Sequence, residues 1–170
     1  MPAPTIVNGD FQSPALATNT TSTTATGWTL GSQAGVQRLT DSNQFAFLGN
    51  HSNGSAAQVV TFEAGTYKFT FKLGRRGAGG VTLSLYVDGV AVWTGTTDNA
   101  WTDSTLPASI ETSPVAIAAG AREIKFVSAF SPSGFRAIID DLAVVDATPA
   151  TQPGRLLVYG SGDPGLVYIS

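Results

Sequence analysis

Polar and apolar residues alternate along much of this chain with period two, not with the 3.6-residue period of an amphipathic helix. Across residues 66–73, Tyr67, Phe69, Phe71 and Leu73 interleave with Thr66, Lys68, Thr70 and Lys72. Successive side chains of a strand point to opposite faces, so this pattern predicts a strand with one face on a core and one in water. Residues 81–87 repeat it, with Val81, Leu83, Leu85 and Val87 against Thr82, Ser84 and Tyr86. Asp88-Gly89 follows directly, and a type I′ turn needs positive φ at both of its central residues, so the chain is expected to turn there and return through 90–94. Further strands are predicted at 36–40, 44–48, 57–62, 122–128 and 137–145, with Glu63-Ala64-Gly65 as a tight turn between two of them. Short strands separated by Gly, Asn, Asp and Pro predict an all-β sandwich or barrel.

A two-residue turn at Asp88-Gly89 fixes a register: Val87 opposite Val90, Tyr86 opposite Ala91, Leu85 opposite Val92, Ser84 opposite Trp93. Tyr86 and Trp93 would then share a polar face with Thr82 and Ser84. Two aromatics on such a face read either as a stacking platform for the CH face of a sugar, or as a surface covered by a loop, the C-terminal tail or another subunit. Arg75 and Arg76, in the glycine-rich stretch 74–80, are candidates for bonding a ligand's rim; a hairpin loop with two solvated arginines is the plainer alternative. Trp101, in a polar segment, is a candidate rim contact or a local plug.

Residues 1–146 are expected to form the sandwich. The segment 147–154, with two prolines, reads as an extended linker, and 155–170 as a small β-hairpin. A lone hairpin is marginal in water, so the tail is expected to dock on the domain edge, on a copy of the chain, or on a partner subunit.

Ile6-Val7-Asn8-Gly9-Asp10-Phe11-Gln12 followed by Gly27-Trp28 resembles the opening of jelly-roll carbohydrate-binding modules, the galactose-binding-like β-sandwiches. Residues 58–62, 64–67, Tyr86-Val87-Asp88-Gly89 and Ile139-Asp140-Asp141-Leu142 are similar to later strands of that family, so the resemblance spans roughly residues 5–146. It implies a two-sheet antiparallel jelly roll, a poly- or oligosaccharide ligand, Trp28 in the core, and a structural calcium where the first loop meets the last strand. The implied ligands are Asp140, Asp10, Gln12 and Asn8. Gln12 stands where the family usually has Glu, which removes a carboxylate that a hard cation favours. Asp140, read as sharing a strand face with Ile138, Leu142 and Val144, would point inward at the rim; without a metal it would cap backbone amides of the first loop.

Composition narrows the chemistry. Charged residues make up only 12% and the net charge is -3. A nucleic-acid partner needs a basic surface, and a membrane surface needs a basic amphipathic stretch; neither is seen. There is no cysteine and one histidine, His51, so thiolate zinc sites, cysteine nucleophiles and histidine-cluster metal sites are excluded. No Gly-x-Ser-x-Gly elbow supports a serine hydrolase. Gly160-Ser161-Gly162-Asp163-Pro164-Gly165 matches the dinucleotide fingerprint in letters only, because Pro164 and the β-prone 166–169 cannot supply the following helix. The N-terminus carries no cationic and apolar leader of the secretory type. The expectation is a non-enzymatic glycan-binding module acting outside cells or on a virion surface; the alternative is a decoration or adhesin protein of a phage-like particle, docked through residues 155–170.

Overall fold

Twelve strands account for nearly all the regular structure in the computed structural model, which describes residues 3–39, 43–49, 52–77, 80–97, 108–129 and 136–149. They are β1 (Thr20–Ser22), β2 (Thr29–Leu30), β3 (Ala34–Arg38), β4 (Gln44–Leu48), β5 (Ser55–Phe62), β6 (Gly65–Arg76), β7 (Val81–Val87), β8 (Val90–Thr97), β9 (Ala108–Glu111), β10 (Val115–Ile117), β11 (Gly120–Ser128) and β12 (Arg136–Asp146). One sheet runs β1-β3-β4-β12-β6, with β9 and β10 end to end along the far edge of β6; the other runs β2-β5-β11-β7-β8. All pairings are antiparallel. The chain is a two-sheet antiparallel jelly-roll sandwich.

The alternation predicts which residues fill it. Tyr67, Phe69, Phe71 and Leu73 of β6 are at most 2% exposed and meet Leu83, Leu85, Ile124 and Phe126 of the opposite sheet, all fully buried. Burial of apolar area on this scale, at about 25 cal/mol per Å², is what holds two sheets together. Asp88 and Gly89 both adopt positive φ, 47° and 79°, as the turn requires.

Residues 3–19 form no strand, yet two buried glutamines fasten them. The Gln58 side chain accepts from Val7 N (2.9 Å) and donates to Val7 O and Gly27 O. Gln44 accepts from Leu16 N and donates to Pro14 O and Phe11 O. Phe11 is thereby held in the core with its ring 5.0 Å from that of Trp28, whose indole N–H reaches the carbonyls of Val7 and Asn8.

Candidate functional site

The outer face of the five-stranded sheet carries Tyr86 but not Trp93. Register across the β7–β8 hairpin pairs Val87 with Val90 and Tyr86 with Ala91 as expected, then shifts: Leu85 faces Trp93, and Ser84 faces Thr94. Val92 is the extra residue of a β-bulge. The bulge turns Trp93 inward, where it packs against the core with its ring edge-on to Phe71 at 5.1 Å. A Cβ on Gly95 would lie 2.5 Å from the indole, so only glycine leaves room for it there. The paired platform of Tyr86 and Trp93 is therefore corrected. Tyr86 keeps its place on the polar face among cross-strand hydroxyl pairs, Ser84 with Thr94 at 2.9 Å and Thr82 with Thr96 at 3.0 Å.

Arg75 and Arg76 are corrected too, for they belong to strand β6 instead of a loop, paired with Ala137 and Arg136 of β12. They sit on the other sheet from Tyr86, so these three candidates do not form one site. What Arg76 does join is the outer face of the seven-stranded sheet. Outward positions there are Gly35 and Gln37 on β3, Phe45 and Phe47 on β4, Arg136, Ile138 and Asp140 on β12, and Lys72, Gly74 and Arg76 on β6. Phe45 and Ile138 are each 1% exposed and form a second apolar cluster with Leu39, separate from the core between the sheets.

Around that cluster the polar groups are placed by contact. A Cβ on Gly35 would fall 2.7 Å from Cζ of Phe47, so the ring lies down over the glycine. The Arg136 guanidinium stacks on this ring at 4.7 Å from its centroid. Arg76 donates to the Gln37 side-chain carbonyl at 2.7 Å. Strands β12 and β4 lie between the two, roughly 14 Å across the sheet at ordinary strand spacing, and the register offsets them along the strands as well, so both side chains must lie along the face. Arg136 and Arg76 are direct cross-strand neighbours, and the Arg136 pKa is lowered, first by burial and then by Arg76. The lysines of the same sheet are matched with acids: Lys72 with Asp141 and Lys68 with Glu111, each at 2.6 Å. Among the described residues no carboxylate pairs with Arg76 or Arg136.

The residues nominated for calcium do not converge. Asn8 is spent within its own loop, accepting from Ser13 N and donating to Ser13 O and Thr26 O. Asp140 points to the outer face, not inward, because a bulge between Asp140 and Ala143, with Asp141 at φ 50°, changes the face before Leu142 and Val144. Its carboxylate accepts from Asn43 Nδ2 (3.0 Å) and Asp141 N (2.9 Å), and neither donor lies in the first loop. Exposed Asp10 accepts from Gln12 N. Three oxygens do gather nearby, Asp10 O, Gln44 O and Asn43 Oδ1, but around the Gln12 amide nitrogen, at 2.8–3.2 Å. A donor fills the position where a hard cation would need open oxygen ligands, and no group of acidic residues suited to a metal occurs among the described residues. The expected result is a melting temperature unchanged by EDTA or millimolar Ca²⁺, whereas Gln12→Glu, which returns a carboxylate to this oxygen cage, gains a calcium-dependent rise of a few degrees. A calcium-dependent melt of the unaltered chain would contradict this assignment.

A pocket of about 240 Å³ opens at the β7–β8 turn, lined by Val87, Val92, Val115 and Ile117 with the Asp88–Arg122 ion pair (3.0 Å) at its edge. It is smaller than common ligand cavities, which run from roughly 300 Å³, and its charges satisfy each other. Trp101, His51 and residues 155–170 lie outside the described residues.

No protein-family model and no curated protein matches the chain. Solved structures do. The carbohydrate-binding module TmCBM61 in complex with beta-1,4-galactotriose superposes with a TM-score of 0.57 at 15% identity, covering 83% of this chain and 97% of that one. The carbohydrate-binding module CBM36 in complex with calcium and xylotriose gives 0.55 at 18%, covering 68% and 90%. An apo cyclase from Fischerella sp. gives 0.58 at 12%, covering 84% and 94%. At these identities the likeness is one of fold, the jelly roll that carbohydrate-binding modules and these cyclases share.

Proposed function

We propose that this chain is a non-catalytic carbohydrate-binding module that holds an oligo- or polysaccharide on the outer face of the seven-stranded sheet, around Gln37, Phe47, Arg76 and Arg136. The fold is one that modules in complex with galactotriose and xylotriose also use. The observation that carries the reading is the Arg136 guanidinium fixed on the Phe47 ring beside an Arg76–Gln37 hydrogen bond. Planar guanidinium and amide groups laid along a face match the paired hydroxyls of a sugar, and the aliphatic stems and ring offer apolar surface to its CH groups. Side chains already held by stacking lose less entropy when a ligand arrives.

Glycan-array binding followed by calorimetry on the strongest hit tests this. Phe47→Ala frees Arg136 and should weaken binding about tenfold, the equivalent of one ring contact of about 1.4 kcal/mol. Tyr86→Ala, on the opposite sheet, should leave it within about twofold. Loss of binding in Tyr86→Ala with none in Phe47→Ala would move the site to the other face.

A further inference from the structure

The outer face just described holds two cations that have no counter-charge among the described residues. Arg76 is exposed and Arg136 half-buried, and they are cross-strand partners in register on β6 and β12. Like charges directly opposite on antiparallel strands destabilise a sheet. The lysines of the same sheet have acidic partners, Lys72 with Asp141 and Lys68 with Glu111. Among the described residues the two arginines do not: Arg76 donates to a neutral amide, and Arg136 rests on an aromatic ring. Both contacts orient a guanidinium without neutralising its charge, and each leaves most of its five N–H donors unspent. The protein as a whole is acidic, at -3, so this is a local positive spot on a chain that otherwise repels anions.

Resting on the reading that this face binds glycans, we propose that the Arg76–Arg136 pair selects acidic sugars, with the two guanidinium groups closing on the carboxylate of a uronic acid. A carboxylate presents two coplanar oxygens that match the guanidinium fork, and it supplies the negative charge that the adjacent arginines lack. A neutral sugar in the same position satisfies the donors but leaves the repulsion in place. The preference is thus built into the sheet register and does not depend on loop closure.

The test is calorimetric titration of the full chain with polygalacturonate, alginate and hyaluronate, each beside its carboxyl-reduced form, with a sulfated galactan as a further arm. At least one uronic-acid polymer should bind about 10- to 100-fold more tightly than its reduced counterpart, the margin that one or two charge-assisted hydrogen bonds provide, and the margin should shrink as salt is raised. Arg76→Gln and Arg136→Gln should each weaken binding of the acidic polymer more than that of the reduced one, so that the ratio between the two falls towards one. Equal binding of acidic and reduced forms, or an acidic preference that survives in both variants, overturns the proposal and leaves the glycan-binding face standing. Tighter binding of the sulfated galactan than of every uronic-acid polymer overturns the carboxylate assignment. Failure of all of these polymers, neutral forms included, together with a blank glycan array, overturns the face and the preference together.

Discussion

Replacing Trp93 by alanine is expected to lower the free energy of unfolding by about 3 kcal/mol, the usual cost of removing a large aromatic from a packed site. The ring joins an edge-on series, Trp93 to Phe71 at 5.1 Å and Phe71 to Phe126 at 5.0 Å, that links edge strand β8 to the middle of the core. Removing it empties the space that Gly95 leaves open and takes a partner from Phe71. For a domain of this size the loss corresponds to a melting temperature lower by roughly 6–12 °C. Tyr86→Ala, on the outer face, should shift it by no more than about a third as much. A Trp93→Ala protein that melts with the unaltered chain would mean that the indole is on the surface after all.

Stability should also fall as pH rises through neutrality. Burial raises the pKa of Asp140 from 3.8 to about 7; the Asn43 hydrogen bond opposes the shift, the Asp141 charge adds to it, and Lys72 lies on the opposing side. A carboxyl whose folded pKa lies above its unfolded one holds its proton more tightly when folded. Its contribution is complete below about pH 4 and is lost as pH climbs past 7. Three units at 1.36 kcal/mol each set a ceiling of about 4 kcal/mol, of which about 2.5 falls between pH 5 and pH 8. Urea unfolding at the two pH values should show the lower midpoint at pH 8, and Asp140→Asn should flatten the difference whatever its effect on absolute stability. His51 is the one side chain in the sequence whose ordinary pKa lies in this window. A slope that persists in Asp140→Asn would assign the effect to it, and equal or higher stability at pH 8 would remove Asp140 as the cause.

Much of the sandwich is legible in the sequence because a half-buried strand must alternate. The long strands β5, β6, β7 and β11 show this, and Asp88-Gly89 marks its turn through a backbone requirement that few residue pairs meet. Strands β1, β2, β9 and β10, of two to four residues, are too short for any period to appear. Both errors of facing have one physical origin. A bulge shifts side-chain phase by one residue, and a pattern of period two cannot reveal it. At β8 the signal was the consecutive large apolar pair Val92-Trp93, which only a bulge can turn inward together, with Gly95 two residues on as the space for the ring. At β12 it was the run from Ala137 to Ile139 ahead of the acidic pair Asp140-Asp141, apolar on both faces, where clean alternation was assumed.

The seven-stranded face was hidden for a different reason. Phe45, Phe47 and Ile138 carry no local mark of an outer face, since β4 and β12 are apolar on both sides. Arg76 reads as a loop residue because Gly74 and Gly77 flank it. Only the pairing of β6 with β12 sets Arg76 beside Arg136, and sixty residues of chain separate the two.

Backbone amide NMR shifts, followed while the best-binding oligosaccharide is titrated into the full chain, test the central claim most directly. The account predicts that the largest changes cluster at Gly35 and Gln37, at Phe47, at Gly74 to Arg76 and at Arg136 to Ile138. Changes centred on Thr82, Ser84, Tyr86 and Thr94, or on the pocket around Val87 and Ile117, would contradict it.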